Sequence, residues 1–173
     1  MKRNILLFGS IALLFASLGA YFNIQRLKPD TPQINAVMHL FAQSFPDAYG
    51  QTQNFSKWKG KILVVNFWAT WCAPCVQEMP ELSALQTENS SKNIQIIGIG
   101  IDSSANISEF ATKYKISYPL YIAGMSGADL SRSFGNQAGG LPFTILINSS
   151  GQIKKTYLGR LKMEELRKDI ASL

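Results

Sequence analysis

Two cysteines three residues apart, Cys72 and Cys75, stand where an apolar β-branched run gives way to a helical pattern. Ile62 to Val65 reads as a buried strand, and helix-forming residues follow the cysteines up to about Glu88. The pair therefore occupies a strand-to-helix turn, which calls for an α/β arrangement. The first turn of a helix leaves backbone N–H groups unpaired, and the macrodipole adds partial positive charge there. A Cys72 thiolate in that field is expected to have a pKa below the free value of about 8.5. Cys75 comes round to the same face one turn deeper, within disulfide reach. Pro74 has the backbone angle a first helical turn wants and no N–H to lose. An exposed low-pKa nucleophile with a resolving partner behind it suits thiol–disulfide exchange.

Two other uses of a Cys-x-x-Cys pair compete with this one. Zinc usually takes four ligands, whereas this chain has two Cys and a single distant His, His39. A structural disulfide across so small a loop removes little chain entropy. The redox reading is preferred, and it requires neither metal nor cofactor. His39 itself reads as a solvated or partly packed side chain.

The run Asn66-Phe67-Trp68-Ala69-Thr70-Trp71-Cys72-Ala73-Pro74-Cys75 continues through Val76-Gln77-Glu78-Met79-Pro80. It resembles the thioredoxin superfamily, and within that the membrane-tethered extracytoplasmic TlpA/ResA/CcmG (DsbE) group of thiol–disulfide oxidoreductases. The resemblance covers roughly residues 44 to 173. A second motif, Gly140-Leu141-Pro142-Phe143-Thr144 ahead of an apolar strand, supports it in the right order and at the right distance. The implied fold is thioredoxin-like α/β, with a central mixed sheet flanked by helices and an N-terminal hairpin. A helix–strand insertion between Asp102 and about Ile122, absent from a plain thioredoxin, matches the group.

The resemblance also implies roles. Cys72 attacks the client disulfide and Cys75 resolves the mixed disulfide. Pro142 is expected to be cis against the Cys pair, leaving the Leu141 backbone to pair with an extended client segment. Trp71 is expected to be a partly exposed aromatic beside Cys72 in the client-binding surface, with Phe67 and Trp68 in the core. Cytosolic thioredoxins carry a buried Asp where this chain has Asn66, which takes up no proton at ordinary pH. Glu78, one turn after Cys75, is the remaining candidate for the base. The competing view of Glu78 is an ordinary helix residue favoured by the dipole.

The rest of the chain fits around this centre. Met1-Lys2-Arg3-Asn4 is a short basic start, and Ile5 to Phe22 is an uncharged apolar run of eighteen residues. As a helix it would span about 27 Å, close to a bilayer core, and the leading charges favour an inside N-terminus. Both a retained anchor and a cleaved signal fit; the length of the apolar run favours the anchor. The expected organisation is an N-terminal membrane segment over 1–28, a linker over 29–43 and the catalytic domain over 44–173. Ile34 to Phe41 is mildly amphipathic and reads as a short helix within the linker. Phe45 to Phe55 reads as a hairpin turned at Gly50. Pro80 is expected to kink the active-site helix. Ile94 to Ile101 reads as a strand buried on both faces. Asn106 to Glu109 has capping-box spacing for a helix, and Ser126 starts another that Gly135 ends. Residues 31–173 retain 13 basic against 10 acidic side chains without a basic cluster beyond Lys154-Lys155, so nucleic acid is not implied.

Together these readings point to a single-pass protein of the bacterial inner membrane with its domain in the periplasm or on the extracytoplasmic face. Proline-containing CxPC pairs tend to the reducing side, which favours a reductase of specific protein disulfides, in cytochrome c maturation or related assembly. Its partners would be disulfide-containing client proteins and a transmembrane electron donor of the DsbD/CcdA type. A periplasmic oxidant and a tethered holdase or scaffold are the alternatives. Neither the client nor the direction of electron flow is written in the sequence.

Overall fold

The computed structural model describes residues 31–173, together with Leu18 and Gly19. The membrane helix expected over 5–22 lies, apart from Leu18 and Gly19, outside the described residues. Among those described, no helix is long and apolar enough to cross a membrane.

Helix α1 (Thr31–Ala42) leads into the short strands β1 (Ser44–Pro46) and β2 (Thr52–Asn54), paired as an antiparallel hairpin. A 3-10 turn over Phe55–Trp58 delivers the chain to β3 (Ile62–Trp68), followed by α2 (Ala73–Glu88) and β4 (Ile94–Gly100). Then come α3 (Ser104–Tyr114), β5 (Leu120–Ile122), α4 (Gly124–Ser133), β6 (Phe143–Ile147), β7 (Ile153–Leu158) and α5 (Met163–Ala171). The five-stranded sheet has the order β5-β4-β3-β6-β7. Strands β3, β4 and β5 run parallel, while β6 is antiparallel to both β3 and β7. The helix–strand pair α3–β5 is the piece expected between Asp102 and Ile122, and it supplies one edge of the sheet.

Strand alternation sorts β3 into two faces. Leu63, Val65 and Phe67 pack with Ile97, Ile99, Ile145 and Ile147 under Val37 and Leu40 of α1 and Leu130 of α4. Val64 and Trp68 pack with Ile94, Ile96 and Leu146 against Met79, Leu82 and Leu85 of α2, Phe110 of α3 and Leu166 of α5. Each such aliphatic side chain contributes about 1.5–3 kcal/mol on full burial. The second face holds two buried polar residues among its apolar neighbours, Asn66 and Thr144. Buried polar groups require partners, and theirs lie at the active site.

Local details depart from the sequence reading in three places. The segment read as a linker carries α1, whose Ala36, Val37 and Leu40 are buried, so packing begins before residue 44. Helix α2 runs through Pro80, which lies inside it. Helix α3 begins two residues ahead of Asn106, because Ser103 is its cap and accepts the Asn106 N–H at 3.2 Å. Helix α4 likewise starts at Gly124 and not Ser126, while Gly135 (φ 99°) follows its C-cap as expected. Exposed His39 lies on α1.

Candidate active site

Strand β3 ends at Trp68, and Ala69 to Trp71 turn the chain into α2, where Cys72 is the N-cap. Cys72 and Cys75 are joined as a disulfide, with Cα atoms 5.3 Å apart. Cys72 retains 6% exposure and Cys75 none. Cys72 is thus less open than the exposed thiol expected there, although more open than Cys75. Trp71 stands beside it at 70% exposure, well beyond the partial exposure expected, whereas Phe67 and Trp68 are fully buried as expected.

Asp102, just beyond β4, ties this turn down. Its Oδ2 accepts the Thr70 N–H at 3.2 Å and the Thr70 hydroxyl, and its Oδ1 accepts the Ser103 N–H at 2.7 Å and Asn106 Nδ2 at 2.8 Å. Partial burial pushes its carboxyl up, and these bonds outweigh that and hold it below its usual value.

Glu78 is fully buried, one turn beyond Cys75. Its Oε1 accepts Asn66 Nδ2 at 2.8 Å, and its Oε2 accepts the backbone N–H of Leu161 at 2.8 Å. Burial raises its pKa to about 7, against the opposing pull of those two bonds and of the Arg160 charge. Asn66 therefore donates to a buried carboxyl where no carboxyl of its own is present. Its Nδ2 also donates to Thr144 Oγ1 at 2.9 Å, linking β3, β6 and α2 in one buried polar cluster.

The Leu141–Pro142 peptide is cis, as expected. Phe143 pairs with Phe67 in the β3–β6 register, so Pro142 lies beside the end of β3 from which the cysteine turn departs. Pro142 is buried and its carbonyl accepts the Gly159 N–H at 2.8 Å, while Leu141 is half-buried and packs against both faces of the core. The structure thus brings Trp71, Cys72, Cys75, Glu78, Leu141 and Pro142 to one end of the sheet.

Three contributors were missed in the sequence. Thr144 interrupts an otherwise apolar strand, and that polar break was a usable signal. Asp102, followed by Ser103 at the end of a buried strand, was another. The Leu161 N–H is a backbone group 83 residues from Glu78, and no sequence pattern announces it. Among the described residues, no cluster of three or more His, Cys, Asp or Glu side chains is placed to hold a metal ion.

The redoxin family profile matches residues 31–171. The chain belongs to the redoxin family. Among relatives of this redoxin is the thiol-disulfide oxidoreductase ResA of Bacillus thuringiensis (strain Al Hakam), 29% identical over 170 residues, covering 96% of this chain and 95% of the relative. A thioredoxin-family thiol:disulfide interchange protein from Chlorobium tepidum TLS superposes with a TM-score of 0.67 at 24% identity, over 75% of this chain and 91% of that one. A secreted Mycobacterium tuberculosis disulfide oxidoreductase homologous to E. coli DsbE gives 0.66 at 18% identity, over 78% and 98%. At those identities the two structures speak to the fold alone. With its Cys72–Cys75 pair in place, this redoxin is a thiol–disulfide oxidoreductase similar to ResA.

Proposed function

We propose that the protein is a membrane-tethered, extracytoplasmic reductase of specific client disulfides, acting in cytochrome c maturation or a related assembly. One observation carries the mechanism: a Cys at a helix N-terminus and a shielded Cys one turn deeper, followed by a buried carboxyl with a pKa of about 7. In the reduced enzyme the Cys72 thiolate attacks one client sulfur. The client S–S bond breaks, and the departing client thiolate takes a proton from water. Cys75 then gives its proton to the Glu78 carboxylate, a base poised near neutral pH. The Cys75 thiolate attacks Cys72 Sγ, expels the second client thiolate and restores the Cys72–Cys75 disulfide. Two electrons have passed to the client, and a dithiol donor of the DsbD/CcdA type returns them.

Exposed Trp71 and the backbone at the cis Leu141–Pro142 peptide form the client-binding surface. The apolar run at 5–22 is the anchor, with the domain on the periplasmic or outer face. Similarity to ResA along almost the whole chain supports this reading.

The test is the redox state of Cys72 and Cys75 in cells, read by alkylation shift, together with fractionation. A mostly reduced pair that becomes oxidised when the donor is deleted, in membrane-bound protein, is the expected result. A mostly oxidised pair would make the protein an oxidant, and indifference to the donor would leave a scaffold. Recovery of the full chain in the soluble fraction would mean the segment is a cleaved signal.

A further inference from the structure

The Asn66 amide has one end engaged and one end open. Its Nδ2 is turned to Glu78 and to Thr144 on β6, while its Oδ1 is buried with no hydrogen-bond partner among the described residues. With Nδ2 directed toward β6, Oδ1 is left toward β4, where the register partner of Asn66 is Gly98. Lacking a side chain, Gly98 admits three groups from elsewhere, the nearest being Leu120 Cδ2, 2.6 Å from where a Cβ would stand. A Cβ there would meet Trp68 Nε1 at 3.1 Å and Tyr118 Cε2 at 3.3 Å. Cε2 is adjacent to the ring carbon that bears the Tyr118 hydroxyl. Tyr118 is 3% exposed, and its hydroxyl too is buried without a partner among the described residues. A ring whose hydroxyl is an unpaired donor therefore packs over the register partner of the residue that carries the unpaired acceptor, in an interior where each costs about 1–3 kcal/mol unmet.

We propose that Tyr118 is a positioning residue for Glu78: its hydroxyl donates through one bound water to Asn66 Oδ1, and so polarises the amide that holds the carboxylate. Hydrogen bonds in series strengthen one another at low dielectric. A carbonyl oxygen has two lone pairs, so Trp68 Nε1 can share this acceptor. Burial, and secondarily the Glu78 charge, push the Tyr118 hydroxyl well above its usual pKa, so it remains a neutral donor at working pH. This relay gives position 66 a requirement that only an amide meets, a donor toward Glu78 and an acceptor toward Tyr118. An Asp there would set a second negative charge against the first.

The inference rests on Glu78 as the proton acceptor, and its test separates the two. Glu78 is faced by Asn66 from β3, by the Leu161 N–H and Arg160 from the loop before α5, by Glu81 and Cys75 from its own helix, and by Tyr118. Tyr118→Phe removes one hydroxyl and leaves the others, with the ring still packed. In full-length, isotope-labelled protein in detergent micelles, the Glu78 carboxyl carbon and the Asn66 side-chain amide are followed by NMR against pH. Weakening the Asn66 donor to the charged form raises the Glu78 midpoint, here by roughly threefold in proton affinity, and the Asn66 amide resonances move with it. Tyr121→Phe removes a buried hydroxyl from the opposite face and leaves both signals alone. In the parent protein the Tyr118 hydroxyl proton is protected from exchange and shows a through-space contact to Asn66. Unmoved Asn66 and Glu78 signals in folded Tyr118→Phe, or no such protected proton in the parent, overturn the relay. A parent Glu78 that titrates in the usual carboxylate range, with Asn66 still responding to Tyr118→Phe, sinks the base and keeps the relay.

Discussion

Asp102 Oδ2 takes both donors of Thr70, its backbone N–H and its hydroxyl, two residues before the nucleophile. With its other oxygen on Ser103 and Asn106, one carboxylate joins the end of β4, the start of α3 and the cysteine turn. Asp102→Ala should therefore cost about 1.5–3 kcal/mol, the range for hydrogen bonds to a charged group. It should also slow client reduction by loosening the turn that carries Trp71 and Cys72. Because the folded-state pKa is depressed, this stabilisation is complete above the usual Asp value and fades as pH falls below it. Denaturant unfolding at neutral and acid pH checks this; equal stability of parent and variant at pH 7 would refute it.

Glu78 gives the opposite slope. Its folded pKa is raised to about 7 from 4.5, so the folded state binds the proton more tightly than the unfolded chain. Its contribution to stability is fullest below pH 4.5, declines as pH rises through that window and levels off above about 7. The amplitude is on the order of 3 kcal/mol. Glu78→Gln should flatten that part of the parent's profile, measured as unfolding free energy against pH. In disulfide exchange the same variant should be slower by about tenfold or more. An unchanged rate–pH profile in a folded variant would return Glu78 to a packing role and leave water as the acceptor.

Access separates the two thiols. Cys72 shows 6% of its surface and Cys75 none. In reduced protein, each single-cysteine variant should report this in its alkylation rate, with Cys72 faster by an order of magnitude or more at neutral pH. A faster Cys75 would reverse the assignment of nucleophile and resolving partner.

The two tryptophans of the motif should behave differently when cut to Ala. Trp68 is fully buried, with its ring centroid 4.8 Å from that of Phe110, so Trp68→Ala should cost about 3–5 kcal/mol. Trp71, 70% exposed, should cost less than about 0.5 kcal/mol while reducing the rate toward protein disulfides. Thermal unfolding and client-reduction kinetics on the two variants would show the split; a large stability loss for Trp71→Ala would count against its client-facing role.

Much of this protein was determined by the sequence alone, where the signal is local. Continuous β-branched runs such as Ile62 to Val65 specify buried strands by their period and apolarity. Cys72, Pro74 and Cys75 specify a helix start, because cap and first-turn geometry involve only neighbouring residues. The same locality explains the correctly read hairpin, the β6–β7 pair and the helix end at Gly135. Boundaries at α3 and α4 slipped by two residues because several Ser, Asn and Gly residues offered competing caps, and packing chose among them. Only the tertiary structure decided what Glu78 is. Its partners are Asn66, twelve residues away on β3, and the Leu161 backbone, 83 residues away. Neither contact exists until β3 and the segment before α5 are assembled against α2. The raised pKa follows from that burial, since a carboxyl on an isolated helix stays hydrated and acidic. The sequence placed a carboxylate one turn beyond Cys75; the closed fold excluded water from it.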